Sequence, residues 1–599
     1  MVGCIVGMAA VASAQTNGTW TNTVSGGLWG GTINWSGGAI ADGSGATAYF
    51  TNDVTADHVV RLDSARTVGN LIFGDGATNS PAGRTLDNNG DAANVLTLAG
   101  PAPTITVNAL GTDGINKAAT ISAEIAGSSG FTKAGVGVLS LTASNSYSGS
   151  TTVSGGNGGI LAISHAHALG ATNAGTAVAS GNQLRLLGGI TVAGEGLTIS
   201  GSGALPGSTE RRGAVRSHSG SNVWAGPIVI AGTSETWISD SGGGLALTGG
   251  VTGTNAVLRL DQGSPLVTGK PINLGTNGQL LVNASAGRLA VADNSFSTLR
   301  IDWNGNLRTE VPGALPTNAT LVLGTLSNPF SASSHSGTLN LFGNSQTIAR
   351  LMDGGTTYVN EVVHNSSAAA ATLTINQSAN STYLGRITGN LGLTKGGSGT
   401  LALGGSNTYS GATLVSNGTL LVNGRHIGGG QYAVASGATL GGTGLISAAL
   451  ASASGGVVAP GNSIGTMTVF GDADLDGILK IELDSSGFGS SDLLVVTGSL
   501  DISSATLDLD LLAGPLDDDA YILAQYGVLA GTFASISDAP GGYQIDYAYN
   551  GNQIALVIPE PPGFSLILMC ALAMAPLWGR KRWDGRGIPC KKGMPGQAR

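Results

Sequence analysis

Short runs in which apolar and small residues alternate recur along most of this chain. Leu139 and Leu141 alternate with small polar residues, and Leu401 and Leu403 stand in a similar arrangement much later in the chain. A period of two is typical of a β-strand with one buried face. Glycine and asparagine separate the runs, and both tolerate the left-handed backbone angles of tight turns. The pattern therefore predicts many short strands joined by tight turns.

Two distant segments, 132–149 and 394–411, share one pattern, T-K-x-G-x-G-x-L-x-L followed by N-x-Y-S-G. A shorter copy of its second half occupies residues 221–226. An internal repeat of this kind predicts a stacked β-solenoid, in which aligned asparagine side chains could form ladders. At roughly 20–30 residues per coil, residues 15–425 would form on the order of 15–20 coils. With about 4.8 Å per coil, the rod would be roughly 70–100 Å long.

Towards the C-terminal end the pattern changes, because apolar residues alternate strictly with charged ones in 479–484 and 507–511. This alternation favours an antiparallel sheet with one solvated face. We expect residues 426–558 to form a C-terminal β module that caps the solenoid, since terminal repeats need a polar outer face. A tryptophan cluster is expected to play the same part at the other end: Trp20, Trp29 and Trp35.

Composition supports an ordered β protein. The chain has 599 residues, of which 99 are glycine, and only 10% are charged. Disordered chains combine low hydrophobicity with high net charge, whereas this chain has positive mean hydropathy. Its net charge is −9, and seven of its basic residues lie in the last twenty positions. An acidic chain is a poor nucleic-acid binder, because such binding depends on neutralising phosphates. No nucleic-acid partner is therefore predicted.

Both ends of the chain carry features of targeting signals. Residues 1–14 are apolar and small, and Ala12 and Ala14 have the spacing of a secretory cleavage site. We expect a signal peptide shortened at its basic start, since no Lys or Arg precedes Arg61. At the other end, an apolar run at 564–579 precedes a basic cluster and could span a membrane with its flanking residues. All three cysteines lie in or beside these signals, so the region between them has no disulfide.

Two short motifs suggest catalysis or metal binding, but both have a simpler interpretation. Residues 461–465 match the G-x-S-x-G nucleophile elbow, which requires a strand before the serine and a helix after it. Pro460 precedes the motif and a strand pattern follows, so a turn between coils is favoured. Asp472, Asp474 and Asp476 resemble the start of an EF-hand loop, yet the acid required at the twelfth position is missing. An aspartate-rich turn is therefore the favoured interpretation.

The remaining polar clusters give no site. His165 and His167 have the spacing of two imidazoles on one strand face, but no cysteine or acid accompanies them. Residues 517–519 are three aspartates that fit a solvated loop. Glycoside cleavage needs two acids that face each other across a sugar, and the sequence singles out no such pair. We predict no catalytic residue, no metal site and no cofactor.

The segments 132–149 and 394–411 resemble the autotransporter-associated β-strand repeat of exported bacterial proteins. Residues 460–465, 492–498 and 531–536 are similar to the segment that closes such passengers. The resemblance covers most of residues 15–557. It implies an all-β fold, a right-handed parallel β-helix with a C-terminal β-rich capping module, that is exposed at the cell surface. It also implies no known catalytic residue.

The C-terminal signal, residues 559–583, resembles the PEP-CTERM sorting signal, with a basic tail at 584–599. The resemblance implies processing by an exosortase-type sorting protease, transient anchoring in the inner membrane and export to the cell envelope or extracellular matrix of a Gram-negative bacterium. The residues that carry it are Pro559, Glu560, Pro561, Arg580, Lys581 and Arg582.

Taken together, these features predict an exported, non-enzymatic β-solenoid with a structural or adhesive role, acting through a polar lateral surface. The alternative is a β-helix that binds or cleaves extracellular polysaccharide. That alternative gains weight if acids and a basic residue converge in one groove beside an aromatic side chain.

Overall fold

The computed structural model is an all-β rod. Apart from two short 3-10 helices, Thr32–Asn34 and Ser36–Gly38, all regular structure in the described residues is β-strand. The stacked strands form a right-handed parallel β-helix, which confirms the predicted fold class. The structure describes residues 15–75, 81–110, 117–203, 212–324, 336–354, 360–485 and 490–559.

Most coils of the chain have a strand in each of three β-sheet walls, which we name wall A, wall B and wall C in the order in which the chain meets them. The strands of wall A are Gly18–Thr19, Thr47–Phe50, Asn70–Asp75, Thr104–Leu110, Phe131–Ala134, Thr151–Val153, Thr176–Val178, Leu197–Ile199, Ile228–Ile230, Val251–Gly253, Ile272–Asn273, Gln346–Ile348, Ala371–Asn376, Leu391–Gly396, Thr413–Val415, Tyr432–Val434, Leu450–Ser452, Ala473–Leu475, Ser499–Asp501 and Val528–Ala530.

Wall B is the most continuous of the three walls. Its strands are Gly27–Leu28, His58–Arg61, Arg84–Asp87, Ala118–Ile121, Val138–Leu141, Ile160–Ile163, Gln183–Leu186, Val215–Ser217, Thr236–Asp240, Val257–Asp261, Gln279–Asn283, Thr298–Ile301, Thr320–Leu323, Arg350–Asp353, Ser381–Tyr383, Thr400–Leu403, Gly418–Val422, Ala438–Gly442, Val457–Pro460, Ile478–Asp484, Thr506–Ala513 and Ser535–Ser537.

Wall C has short strands. They are Arg66–Val68, Leu96–Leu98, Ile125–Ala126, Thr191–Val192, Asn222–Trp224, Leu245–Leu247, Pro265–Val267, Gly287–Leu289, Gly305–Thr309, Gly337–Asn340, Val362–Asn365, Arg386–Gly389, Ser406–Asn407, Arg425–His426, Leu445–Ile446, Thr466–Val469, Leu493–Val496, Ala520–Gln525, Gln544–Tyr549 and Gln553–Val557.

Coil length varies along the rod. Ile121 pairs with Leu141 only 20 residues later, whereas Leu86 pairs with Ile121 after 35 residues. Longer coils place their extra residues in the loops between walls. Wall B has fourteen strands in one sheet and eight in the next, so the described chain makes 22 passes. At about 4.8 Å per coil the rod is about 100 Å long, and 17 of the passes end by Val422, within the predicted range.

The core is a continuous column of apolar side chains that point inward from the three walls. Leu139 and Leu141 are fully buried, as the alternation predicts. Tight corners require glycine at particular positions. Gly135 has a φ of 75°, and a Cβ atom there would lie 2.3 Å from the carbonyl oxygen of Val107 in the preceding coil. Any side chain at this position would push adjacent coils apart.

The N-terminal end of the column is filled by the predicted tryptophan cluster. Trp29 and Trp35 pack with their ring centroids 5.1 Å apart, and Trp20 lies 5.2 Å from Trp35. All three side chains are buried, and Phe50 of the second coil packs beneath them. These large rings cover the end of the core, where no preceding coil is available.

The C-terminal end is closed by an antiparallel hairpin. Gln553–Val557 pairs antiparallel with Ala520–Gln525 and with Gln544–Tyr549, which ends wall C. The hydroxyl of Tyr543 donates a hydrogen bond of 2.8 Å to the carbonyl of Asp518. A hairpin with a tyrosine hydrogen bond therefore closes this end of the rod, and a separate module at 426–558 stays a prediction.

The antiparallel arrangement predicted for residues 479–484 and 507–511 is wrong. The strands Ile478–Asp484 and Thr506–Ala513 are parallel neighbours in wall B. A short strand, Ser490–Ser491, pairs antiparallel with Ile478–Asp484. Alternation reports only that one face is buried and one is solvated, and this holds equally for a solenoid wall. Parallel pairing also continues across residue 426 without interruption, so pairing marks no domain boundary there.

Candidate binding walls

The residues that define the repeat lie inside the solenoid. In the first copy, Lys133 on wall A and Leu139 and Leu141 on wall B are all fully buried, and Tyr147 fills the next corner. Parallel registers place the lysine and the two leucines next to inward residues of the neighbouring coil. The second copy repeats this arrangement with its own lysine, leucines and tyrosine. The repeat therefore specifies the architecture of a coil.

The buried lysines are satisfied by backbone carbonyls. The ammonium group of Lys133 donates hydrogen bonds of 2.9 and 2.7 Å to the carbonyl oxygens of Ala134 and Gly135. Lys395 donates to its own two following carbonyls and to that of Asn417 in the next coil. Burial lowers the pKa of Lys133 to about 7 and that of Lys395 to about 8, because the charged form loses hydration.

The repeat asparagine joins three successive coils. The side-chain oxygen of Asn145 accepts a hydrogen bond of 2.8 Å from the amide of Ile125, and its nitrogen donates one of 2.6 Å to the carbonyl of Ala168. Asn407 accepts the equivalent bond from Ile387. The expected ladder of asparagine side chains is not what these two residues form, since each binds backbone groups of adjacent coils. A buried backbone group needs such a partner wherever a corner interrupts the sheet.

Since the repeat residues face inward, recognition by this molecule falls to its outer walls. Wall A presents a polar, threonine-rich ladder, in which Thr104, Thr132 and Thr152 occupy successive cross-strand positions. A shallow groove follows this ladder towards Thr198. This surface agrees with the predicted polar lateral wall. It has no charged side chain among the groove residues.

Wall B carries an ionic network. Arg259 forms ion pairs with Glu235 and, at 3.5 Å, with Asp302, while Arg300 lies 3.1 Å from the Asp302 carboxylate. The guanidinium of Arg259 also lies 5.2 Å from the ring centroid of Trp237. Acids, arginines and an aromatic ring thus converge, as the carbohydrate alternative requires.

The geometry of that network resembles a brace between coils more than a site open to a glycan. Asp302 is only 2% exposed, and Asp261 nearby is 8% exposed. Burial raises the pKa of both carboxyl groups, with the charge of Arg259 opposing that shift. An acid that acts on a sugar must touch it, and the Asp302 carboxylate is enclosed. The network therefore joins the coils of Thr236–Asp240, Val257–Asp261 and Thr298–Ile301.

Wall C contains an open depression with two arginines. Arg288 and Arg308 are direct cross-strand partners, and their side chains are 38% and 33% exposed. The depression is also lined by Ser264, Asn306 and Asn340. Two guanidinium groups, two amides and a hydroxyl thus face solvent on adjoining coils. This is a donor-rich surface that suits anionic or hydroxylated ligands.

Arg308 is held in position from two sides. Glu310 accepts hydrogen bonds of 2.9 and 2.5 Å from its Nε and Nη2 atoms, and the guanidinium lies 4.1 Å from the ring centroid of Phe342. Arg288 is 3.9 Å from the same Glu310 carboxylate. One carboxylate therefore partly neutralises two arginines, and a net positive charge remains. An arginine held in this way loses less side-chain entropy on binding a ligand.

Two exposed aromatic residues border wall C at unusual backbone angles. Phe342 follows the strand Gly337–Asn340 with a φ of 47°, and Trp303 precedes Gly305–Thr309 with a φ of 54°. Their exposed fractions are 38% and 44%. Positive φ is rare for bulky side chains, costs about 1–3 kcal/mol, and is found preferentially at functional positions. Both rings are thereby presented at the edges of the wall.

Sequence reasoning did not find the two arginines. Arg288 and Arg308 are 20 residues apart, the length of a short coil, and both occupy outward strand positions. The one sequence signal for this pair is a separation equal to one coil, which places two residues side by side on neighbouring strands. Variation in coil length between 18 and 35 residues hides that signal elsewhere.

The two short motifs differ in their placement. Asp474 lies within the strand Ala473–Leu475, so the aspartate-rich turn predicted there is wrong. Ser463 lies in the turn between Val457–Pro460 and Thr466–Val469, so the favoured interpretation of the G-x-S-x-G motif is confirmed. The Gly465 amide in this turn donates a hydrogen bond of 2.8 Å to Asp492. His165 and His167 lie in the turn after Ile160–Ile163, which corrects their expected placement on a strand. Within the described ranges, no group of three or more His, Cys, Asp or Glu side chains is arranged to hold a metal ion.

The predicted targeting residues fall almost entirely outside the described residues. Pro559 is the last described residue. In the part of the chain that the structure describes, no helix has the length and apolar character needed to cross a membrane. The apolar run at 564–579 lies outside that part. So do the other signal residues: Ala12, Ala14, Glu560, Pro561, Arg580, Lys581 and Arg582.

Comparison with known proteins confirms the repeat. Residues 131–162 and 393–422 match the family model of the Passenger-associated-transport-repeat. These two stretches contain the buried lysines and leucines described above, and each covers somewhat more than one coil. The chain therefore carries the autotransporter-associated repeat that its sequence resembles.

Two curated proteins are similar to part of the chain. The adhesin BmaC autotransporter of Brucella suis biovar 1 (strain 1330) is 31% identical over 230 residues, which are 36% of this chain and 6% of that protein. The extracellular serine protease of Serratia marcescens is 33% identical over 182 residues, or 29% of this chain and 17% of that protein. The chain thus aligns with only a small part of each relative.

Proposed function

Because this chain is a β-solenoid built on the Passenger-associated-transport-repeat, we propose that it is an exported adhesive protein of a Gram-negative cell surface or extracellular matrix. The observation that carries this proposal is that the repeat residues and the polar surface groups occupy separate parts of the rod. The repeat residues are buried, and the outer walls present hydroxyl, amide and guanidinium groups along about 100 Å. Similarity to part of an adhesin supports the same role.

The mechanism of adhesion is multivalent contact along the rod. A parallel solenoid repeats outward positions every coil, so one polymer or surface can engage several coils at once. Linked weak contacts give an avidity far above the affinity of each contact. Wall C supplies the strongest of these contacts through Arg288 and Arg308, and wall A supplies hydroxyl groups through its threonines.

The role we propose is non-enzymatic. One partial relative is a serine protease, but Ser463, the serine of the elbow-like motif here, lies in a turn between two strands of the solenoid. The acids of the wall B network are paired with arginine, and Asp302 is enclosed. These observations favour binding over cleavage of a polysaccharide.

Export would follow from the two terminal signals. We expect secretion through residues 1–14, a transient stay at the inner membrane through the apolar run, and processing near Pro559 by an exosortase-type protease. The rod would then be released to the surface or matrix. Extracellular polysaccharide is the partner that we expect it to meet there.

The experiment is to express the full chain in a Gram-negative host with and without its exosortase-type protease. Antibody labelling of intact cells and adhesion of those cells to a polysaccharide-coated surface are measured together. We expect labelling and adhesion only with the protease, and loss of both in Glu560→Gln. Asp519→Asn, an exposed acid of a surface loop, is the matched control. Labelling without any gain in adhesion would refute the adhesive role.

A further inference from the structure

Wall C carries outward basic residues on five of seven consecutive strands, from Gly287–Leu289 to Arg425–His426. No Asp or Glu lies within these strands. Every ionisable side chain that points outward from them is an arginine or a histidine. We name this row the basic stripe; it consists of Arg288, Arg308, His364, Arg386 and Arg425.

The basic stripe contrasts with the rest of the molecule. The chain has a net charge of −9, and the outward positions of Ile478–Asp484 and Thr506–Ala513 on wall B hold four acids and one lysine. The carboxylate of Glu310 contacts two arginines of the stripe, Arg288 and Arg308. Concentration of basic groups on one wall of an acidic protein produces a local attraction for anions that the net charge alone does not suggest.

We propose that the basic stripe binds a carboxylated polysaccharide that lies along the rod axis. This rests on the proposed adhesive function and names the ligand class of the same wall. Seven coils span on the order of 30 Å, so the stripe matches an extended polymer better than a small molecule. Arginine forks bind planar carboxylates through paired hydrogen bonds.

The neighbouring groups favour a sugar polymer among the possible polyanions. Asn306 and Ser264 supply donors and acceptors for hydroxyl groups within the depression. Phe342 and Trp303 border the wall and expose apolar ring surface against which a sugar ring can pack. Both residues have positive φ, 47° at Phe342 and 54° at Trp303, and such backbone angles in bulky residues are found preferentially at functional positions.

Nucleic acid is the competing polyanion, because bases also stack on aromatic rings. The stripe has only five basic residues, each on a different coil, and Arg386 lies two register positions away from the column of Arg308 and His364, so the stripe gives few phosphate contacts. The net charge of −9 further opposes a polymer that carries one charge at every nucleotide. A polysaccharide with carboxylates at intervals suits the stripe better.

The experiment measures binding of the purified full chain to polygalacturonate by calorimetry, at low and at physiological salt. The variants are Arg288→Ala and Arg308→Ala, separately and together. Arg61→Ala is the matched control, since Arg61 is an exposed arginine of wall B that is paired with Asp87 at 3.6 Å. Circular dichroism during heating verifies that every variant keeps its fold. Two further probes are carboxyl-reduced polygalacturonate and a single-stranded oligonucleotide.

We expect polygalacturonate to bind and added salt to weaken it. Each single arginine variant should lose about tenfold in affinity, which is the size of one charge-assisted hydrogen bond. The carboxyl-reduced polymer should bind at least tenfold more weakly, and Arg61→Ala should bind like the unchanged protein. Equal binding of the reduced polymer, equal loss in Arg61→Ala, or tighter binding of the oligonucleotide would each overturn the proposal.

Failure of this proposal is distinguishable from failure of the adhesive function. If cells that display the chain adhere to a polysaccharide-coated surface while the purified chain ignores polygalacturonate, the ligand class is wrong and the adhesive function stands. If displayed chain gives no adhesion to any polysaccharide surface, the adhesive function itself fails.

Discussion

The ammonium group of Lys133 donates a hydrogen bond of 2.7 Å to the carbonyl oxygen of Gly135, two residues further along the chain. Lys395 makes the same bond to Gly397 at 3.0 Å. Both glycines have positive φ, 75° and 71°. At each corner the glycine carbonyl points away from the sheet, and the buried lysine donates a hydrogen bond to it from inside the rod. This bond explains why lysine and glycine recur together in the repeat.

Stability should rise with pH between about 7 and 9. The pKa of Lys133 is about 7 in the folded chain, and its ordinary value is 10.5, so the unfolded chain binds more protons in this range. The free energy of unfolding therefore increases with pH, by at most about 1.4 kcal/mol per pH unit for each lysine. Lys395, with a pKa of about 8, should contribute from that pH upward. Urea unfolding at pH 7, 8 and 9 measures the slope.

The control for this prediction is the double variant Lys133→Met and Lys395→Met. Its slope over the same pH range should be markedly smaller, because methionine has no proton to release. Lys117→Met, a surface lysine paired with Asp57, should keep the slope. An unchanged slope in the double variant would show that the buried lysines do not titrate in this range.

Asn145→Ala should lower the free energy of unfolding by about 1–3 kcal/mol. The change leaves the amide of Ile125 and the carbonyl of Ala168 without their side-chain partner at a buried corner. Hydrogen exchange should report faster opening at Ile125. Asn173→Ala, at an exposed loop position, should change stability by no more than about 0.5 kcal/mol. Equal effects of the two variants would contradict the bridging role of Asn145.

Arg259→Leu should destabilise the chain by about 2–3 kcal/mol at pH 7, because it removes one of the two arginines that balance the enclosed Asp302. The pKa of Asp302, already raised by burial, should rise further. A carboxyl whose pKa is raised on folding favours the folded chain as the pH falls through that pKa. Part of the loss should therefore be recovered between pH 7 and pH 5. Thermal melts at both pH values measure it.

Arg61→Leu is the matched control for the wall B network. Arg61 and Asp87 form a 3.6 Å ion pair at the surface, with Arg61 exposed and Asp87 half-buried, and surface pairs contribute about 0–1 kcal/mol. If Arg61→Leu loses as much stability as Arg259→Leu, the ion pairs of Asp302 contribute no special stability. The same holds if Arg259→Leu regains no stability on acidification.

The sequence predicted the solenoid because its local signals agree with one another. Leu139 and Leu141 alternate, Gly135 stands where only glycine fits, and the unit recurs at a second place. The same alternation failed at 479–484, where charged residues suggested antiparallel pairing. A period of two reports which side of a strand is buried. The direction of its neighbour depends on the connection between strands, which local alternation does not encode.

The candidate site was less accessible from sequence. Arg259 and Asp302 are 43 residues apart, and they meet only because two turns of the solenoid return the chain to wall B. Arg288 and Arg308 are separated by one coil, yet coil lengths vary too much for spacing alone to identify such partners. The wall residues that lie side by side can therefore be identified only when the register of the strands is known.

The most direct test compares an interior variant and a wall variant in one experiment. Melting temperature and polygalacturonate affinity are measured on the same samples of the unchanged chain, Lys395→Met and Arg308→Ala. We expect Lys395→Met to melt earlier and keep its affinity, and Arg308→Ala to keep its melting temperature and lose about tenfold in affinity. The contrary result is that the folded Lys395→Met loses affinity, or that Arg308→Ala melts earlier and binds normally. Either outcome would contradict the claim that interior residues determine stability while outer-wall residues determine ligand binding.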